Sequence, residues 1–137
     1  MMSALFLVIG FSLVGFAISY YIFRTKEAGK KLVCPIGEDC NAVVHSAYSK
    51  LFGVPNEIVG MLYYGFVILM SGLIWSGVPA ILGAKPVIIL FVIGLGAGVM
   101  SVILTGIQAF VLRAWCFYCL ASAAINIAIV VVEWRLR

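Results

Sequence analysis

At 137 residues, 65% of them hydrophobic and only 10% charged, with a mean hydropathy of +1.22, the chain cannot be an ordinary water-soluble domain. Nine Lys and Arg against five Asp and Glu leave a net charge of +4. Basic residues this close to a bilayer meet lipid phosphates or set topology, and with no aromatic-basic interleaving they give no reason to expect nucleic acid as a partner.

Four uncharged stretches, at 1–23, 58–84, 86–112 and 114–132, each reach the roughly 18–20 residues a helix needs to cross the hydrocarbon core. The expected fold is all-α: an integral membrane four-helix bundle forming one transmembrane domain over 1–137. Its helices are expected at about 3–23, 58–78, 86–111 and 114–133, with a loop and lid over 24–57. The first stretch lacks the basic start and small-residue cleavage site of a signal peptide, so it is expected to remain as a helix. Gly10 and Gly15 in this helix are candidates for close backbone approach.

A charged linker, Arg24 to Lys31, then leads into Cys34-Pro35-Ile36-Gly37-Glu38-Asp39-Cys40. Pro and Gly between the cysteines predict a turn-rich loop able to bring the two sulfurs together. Beyond it Val43, Val44, Ala47, Tyr48, Leu51 and Phe52 fall on one stripe at helical spacing, while His45, Ser49 and Lys50 face away. Asn41 to Phe52 therefore reads as a short amphipathic helix, capped by Asn41, stopped by Gly53 and Pro55, and too short to span. It should lie on the membrane surface or cap the bundle.

In the third span Gly94-Leu95-Gly96-Ala97-Gly98 lies inside an apolar run with no preceding strand, so it reads as helix packing and not as a nucleotide loop. Pro79 and Lys85 mark one turn and Arg113 a tighter one. Connections this short predict antiparallel neighbours, up and down across the bilayer.

The chemistry concentrates in two cysteine pairs. Cys116 and Cys119, in Trp115-Cys116-Phe117-Tyr118-Cys119, lie three residues apart in the first turn of the fourth helix, so their sulfurs share a face. The unpaired amides and the dipole there favour thiolate. Trp115, Phe117 and Tyr118 supply flat apolar walls suited to a ring-shaped, lipid-soluble cofactor. Helices two and three return the chain to the side it left, which puts Cys34 and Cys40 on the same membrane side as Cys116 and Cys119. Two such pairs can pass electrons from a soluble dithiol to a carrier in lipid. Static disulfides are the alternative, as is zinc held by Cys34, Cys40, His45, Cys116 and Cys119; the expected site holds no metal.

Cys34, Cys40 and Ser46, then Leu51-Phe52-Gly53-Val54-Pro55-Asn56, Gly60 with Tyr63-Tyr64, and Cys116-Phe117-Tyr118-Cys119 with Asn126 together resemble the vitamin K epoxide reductase family in its prokaryotic form. The resemblance covers nearly the whole chain. It implies a four-helix bundle around a quinone of ubiquinone or menaquinone type, a cysteine-bearing loop with a half-helix lid, and oxidation of a thioredoxin-like partner of the PDI or DsbA kind. By the same resemblance Cys34 and Cys40 are the shuttle pair. Cys116 exchanges with that pair through a transient bridge to Cys40, and Cys119 faces the quinone. Asn56 hydrogen-bonds a quinone oxygen and Ser46 lies near the reactive centre, while Phe52 on the lid and Tyr118 complete the cofactor site. Ala123 stands where animal members carry a tyrosine, which sets vitamin K epoxide chemistry apart from what is expected here. The chain ends Glu133-Trp134-Arg135-Leu136-Arg137, so the thioredoxin-like partner is expected to be a separate protein.

The resulting expectation is an enzyme, a quinone-dependent protein thiol-disulfide oxidoreductase in the cell membrane. Its rivals are a naphthoquinone or quinone-epoxide reductase driven by partner thiols, and a non-catalytic membrane protein with structural disulfides or zinc. Arg24, Lys26, Lys30, Lys31, Lys50 and Arg113 fall on the cysteine side, against Lys85, Arg135 and Arg137 opposite. The positive-inside rule therefore turns the active face to the cytoplasm, with the exported face as the alternative.

Overall fold

The computed structural model describes residues 2–29, 50–51, 53–80, 83–113 and 116–136. Four long apolar helices dominate them: α1 (Met2–Glu27), α2 (Asn56–Trp75), α3 (Pro86–Ile107) and α4 (Phe117–Leu136). Each is long and apolar enough to cross a membrane, α3 together with the turn that follows it. Large apolar side chains such as Phe6, Leu62, Leu69, Val102 and Phe110 point outward. That is the arrangement lipid demands, since backbone polar groups are satisfied within each helix. The fold is the expected all-α membrane bundle.

The packing follows from residue size. On α1 the buried positions are Leu5, Val8, Ser12, Gly15, Ser19 and Ile22, an alternation of three and four residues that keeps one stripe facing its neighbours. Small residues in the middle of that stripe let the backbones approach. A Cβ at Gly15 would overlap the fully buried Tyr64 ring of α2. Val8, Tyr64, Val67, Met70, Leu90 and Ile129 form the central core. The extended contacts are those of α1 with α2, α1 with α4 and α3 with α4, whereas α2 and α3 touch sparingly. That gap holds the cavity described below.

The element ends depart from expectation for identifiable reasons. α1 runs on through Arg24 and Lys26 to Glu27 before the Ala28-Gly29 turn, because Lys26 is not solvated: its Nζ lies 2.8 Å from the buried Glu57 Oε1. Lys50–Leu51 (β1) pairs antiparallel with Val54–Pro55 (β2), with Gly53 at φ 81° in the turn between them. An amphipathic helix reaching Phe52 is thus excluded at Leu51, because extended pairing takes up those backbone groups. Residues 41–49 and Phe52 lie outside the described residues. After α3 the chain widens into a π-turn, Gln108–Leu112, and reverses at Arg113, held in the left-handed region at φ 50°. The fourth helix starts at Phe117, three residues later than expected.

Candidate functional site

The end of α3 and the start of α4 are joined through one side chain. Gln108, only 3% exposed, accepts a hydrogen bond from the Cys116 amide at 3.1 Å through its Oε1. The π-turn follows immediately, so an extra residue per turn is accommodated where the chain must swing from one helix to the next. Cys116 itself is fully buried and stands just before α4, where its carbonyl accepts the Leu120 amide at 2.9 Å. Its Sγ accepts the Cys119 amide at 3.3 Å. This is the geometry of a helix N-cap, with sulfur in place of the usual side-chain oxygen. An N–H aimed at the sulfur and the positive helix end both complement negative charge there.

Cys119, one turn on, is half-buried and lines a cavity of about 540 Å³ between α2, α3 and α4, with Ser19 and Ile22 of α1 at its side. Asn56 and Glu57 at the start of α2, Tyr118 and Gln108 lie on the same wall system. Tyr118 packs its ring 5.2 Å from that of Tyr21. Deeper, the walls are apolar side chains such as Val59, Leu62, Phe66, Ile93 and Met100.

One polar chain crosses the cavity wall. The Tyr64 hydroxyl donates to Asn126 Oδ1 at 2.6 Å, which leaves the Ser122 hydroxyl, 2.8 Å away, to donate to the Tyr64 oxygen. Asn126 Nδ2 donates to Ser101 Oγ at 2.7 Å, and Ser101 donates to the Ala97 carbonyl at 2.9 Å. Each of these side chains has at least one partner on another helix or on its own backbone, so α2, α3 and α4 are tied together through Tyr64, Ser122, Asn126 and Ser101.

Of the residues singled out from sequence, Cys119, Tyr118 and Asn56 line this cavity, and the buried Cys116 packs behind Cys119. Phe117 does not line it: the side chain is exposed on the outer face of α4 and leaves the cavity wall to Tyr118. Cys34, Cys40, Ser46, Phe52 and Trp115 lie outside the described residues, as does His45. Gln108, Glu57, Lys26, Tyr64 and Ser122 were not singled out as site residues. Glu57 and Gln108 did carry a signal, since a lone polar side chain in or beside an apolar span is a functional candidate.

A Cys-x-x-Cys pair at a helix start, the first cysteine buried and the second on the wall of an apolar cavity among spanning helices, is an arrangement suited to thiol chemistry within a membrane. The model of the vitamin K epoxide reductase family matches residues 6–134, and the chain belongs to that family. Its four helices, each long and apolar enough to span, make it a multi-pass membrane member of that family. The chain is also 36% identical over 58 residues to the thiol-disulfide oxidoreductase LTO1 of Arabidopsis thaliana, a stretch covering 42% of this chain and 15% of that protein.

Proposed function

We propose that the protein is a quinone-dependent thiol oxidase that generates disulfides, built as a single transmembrane domain. Electrons pass from a thioredoxin-like dithiol to Cys34 and Cys40, on to Cys116 and Cys119, and finally to a quinone of ubiquinone or menaquinone type. The observation that carries this reading is Cys119 on the cavity wall with Cys116 capping the same helix turn. A thiol pair serving water-borne partners alone would have no use for an apolar cavity at its back.

The residues fit a quinone. The cavity volume falls within the usual range for small-molecule sites, about 300–1,000 Å³, and combines apolar walls with a few polar groups. Tyr118 offers a ring face, and Asn56, at the same end as Cys119, offers an amide for a quinone oxygen. A bound quinone supplies an acceptor for two electrons and two protons. Cys116 and Cys119 lose two electrons to that acceptor, and release two protons, as their S–S bond forms. The resulting disulfide is then opened by Cys40 attacking Cys116, which releases the Cys119 thiol, and Cys34 attacks Cys40 in the mixed disulfide and displaces Cys116, so that the shuttle pair becomes oxidised and can accept the partner's electrons. Ser46 and Phe52 would close the site from the loop side. The larger share of Lys and Arg on the cysteine side supports a cytoplasmic active face.

The test is purification in mild detergent, organic extraction of the bound cofactor, and thiol-driven quinone reduction followed optically. Cys119→Ser is expected to abolish quinone reduction while Cys34 and Cys40 still exchange with a thioredoxin-like dithiol. Normal quinone turnover in that variant would remove Cys119 from the role given to it.

A further inference from the structure

The far half of the bundle holds a carboxyl that the thiol chemistry does not use. Glu133 of α4 is fully buried, and neither of its carboxyl oxygens has a hydrogen-bond partner among the described residues. It fits because α3 carries no side chain opposite: a Cβ on Gly94 would collide with the Glu133 carboxyl. Among the described residues the one ion pair is Lys26 with Glu57, so no cation neutralises Glu133. An isolated carboxylate in this setting costs several kcal/mol or more, and the uncharged acid is the form the niche tolerates.

A second buried group without a partner among the described residues stands on α2. The Tyr63 hydroxyl is buried and without a hydrogen-bond partner among the described residues, and it lies within electrostatic reach of Glu133. The Tyr63 ring belongs to the wall of the cavity that holds Cys119. Glu133 comes 16 residues after the start of α4, about 24 Å along the helix. It is therefore close to the membrane face opposite the cysteines, beside the exposed Trp134 and Arg135.

We propose that Glu133 is a proton-loading site that supplies the cavity through Tyr63 from the face opposite the cysteines. The proposal rests on the quinone reading. For each quinone reduced, two electrons leave Cys116 and Cys119 as their S–S bond forms. The protons of the oxidised thiols are released on the cysteine face. Two others reach the quinone oxygens by way of Glu133 and Tyr63, and Glu133 is reloaded from water on the opposite face after each transfer. Disulfide formation then moves charge across the membrane, leaving the cysteine face positive.

Thiol-driven quinone reduction by the unsubstituted protein in liposomes is measured first and decides the quinone reading by itself. The proposal is then tested without turnover, by treating the protein with an apolar carbodiimide, which modifies protonated carboxyls in a lipid setting. Label is expected at Glu133, absent in Glu133→Gln, with the Lys26-paired Glu57 unmodified. In liposomes a voltage-sensitive dye should report a potential, positive on the cysteine face. Glu133→Gln and Tyr63→Phe should each slow quinone reduction on the order of 10²-fold, the low end for a positioned proton donor, and remove that potential. Cysteine exchange with a partner dithiol should stay unchanged in both, which shows that the bundle is intact. An unlabelled Glu133, or quinone reduction and charge movement at the unsubstituted level in both variants, overturns the proposal.

Discussion

Replacing Gln108 by Leu removes the acceptor of the Cys116 amide and nothing else that Gln108 is seen to hold. That amide belongs to a fully buried residue, so the cost is that of an unsatisfied buried donor, about 1–3 kcal/mol. The loss falls at the junction of the π-turn and α4, and local opening of Cys116 should become easier by the same amount. Converted at RT, this is a rise of about 5- to 150-fold in the rate at which a small alkylating reagent reaches Cys116. The assay is alkylation over time, read by mass spectrometry on the Cys116 peptide in a Cys119→Ser background. Gln108→Glu keeps an acceptor at the same reach and should protect Cys116 nearly as well as Gln108 does. If Gln108→Leu labels within about twofold of the parent, less than the smallest expected cost, the bond does not hold Cys116 in place.

Gly15→Val places atoms where the Tyr64 ring sits and should destabilise the bundle by about 1–3 kcal/mol in detergent unfolding, whereas Gly10→Val, with open space around it, should be neutral; equal effects would count against the α1–α2 packing. Lys26→Met strands the buried Glu57 and should cost on the order of 3 kcal/mol, with Lys26→Met/Glu57→Gln recovering most of it; no recovery in the double variant would show that the pair is not coupled. Asn126→Leu breaks two hydrogen bonds but leaves Ser101 and Tyr64 each one partner, so a loss of about 1–2 kcal/mol in unfolding is expected, and a loss above 4 would refute the chain of donors described. Labelling of Cys34 in intact cells by a membrane-impermeant thiol reagent, after mild reduction, should be slow if the active face is cytoplasmic; rapid labelling would turn it outward.

The existence of the four helices was legible because uncharged runs of this length have few other fates. Their ends were less so. Arg24 and Lys26 read as solvent markers, yet α1 passes through both because Glu57, distant in sequence, meets Lys26 inside the bundle. Likewise the apolar stripe through Leu51 suggested a helix, but Gly53 supplies the positive φ of a tight turn, and the backbone pairs Lys50 with Pro55 instead. At the site, Cys116 and Cys119 were visible from spacing alone. Gln108, Tyr64 and Ser122 were not, because helical period does not say which face of a uniformly apolar helix meets which neighbour.

Hydrogen-bond satisfaction separates structural from functional polar groups inside this bundle more sharply than burial does. Tyr64, Ser122, Asn126 and Ser101 hydrogen-bond to one another and to the Ala97 carbonyl, and so hold three helices in register. Tyr63, partly buried, packs against the same core as Tyr64, next to it in sequence, yet its buried hydroxyl has no such partner among the described residues, and neither does Glu133. In a hydrocarbon setting an unpaired hydroxyl and an unpaired carboxyl each cost free energy that a Phe and a Leu would avoid. The same helices could have been held without them. Their presence therefore argues for a task, and the movement of a proton is the task that a neutral acid beside an unpaired hydroxyl can perform.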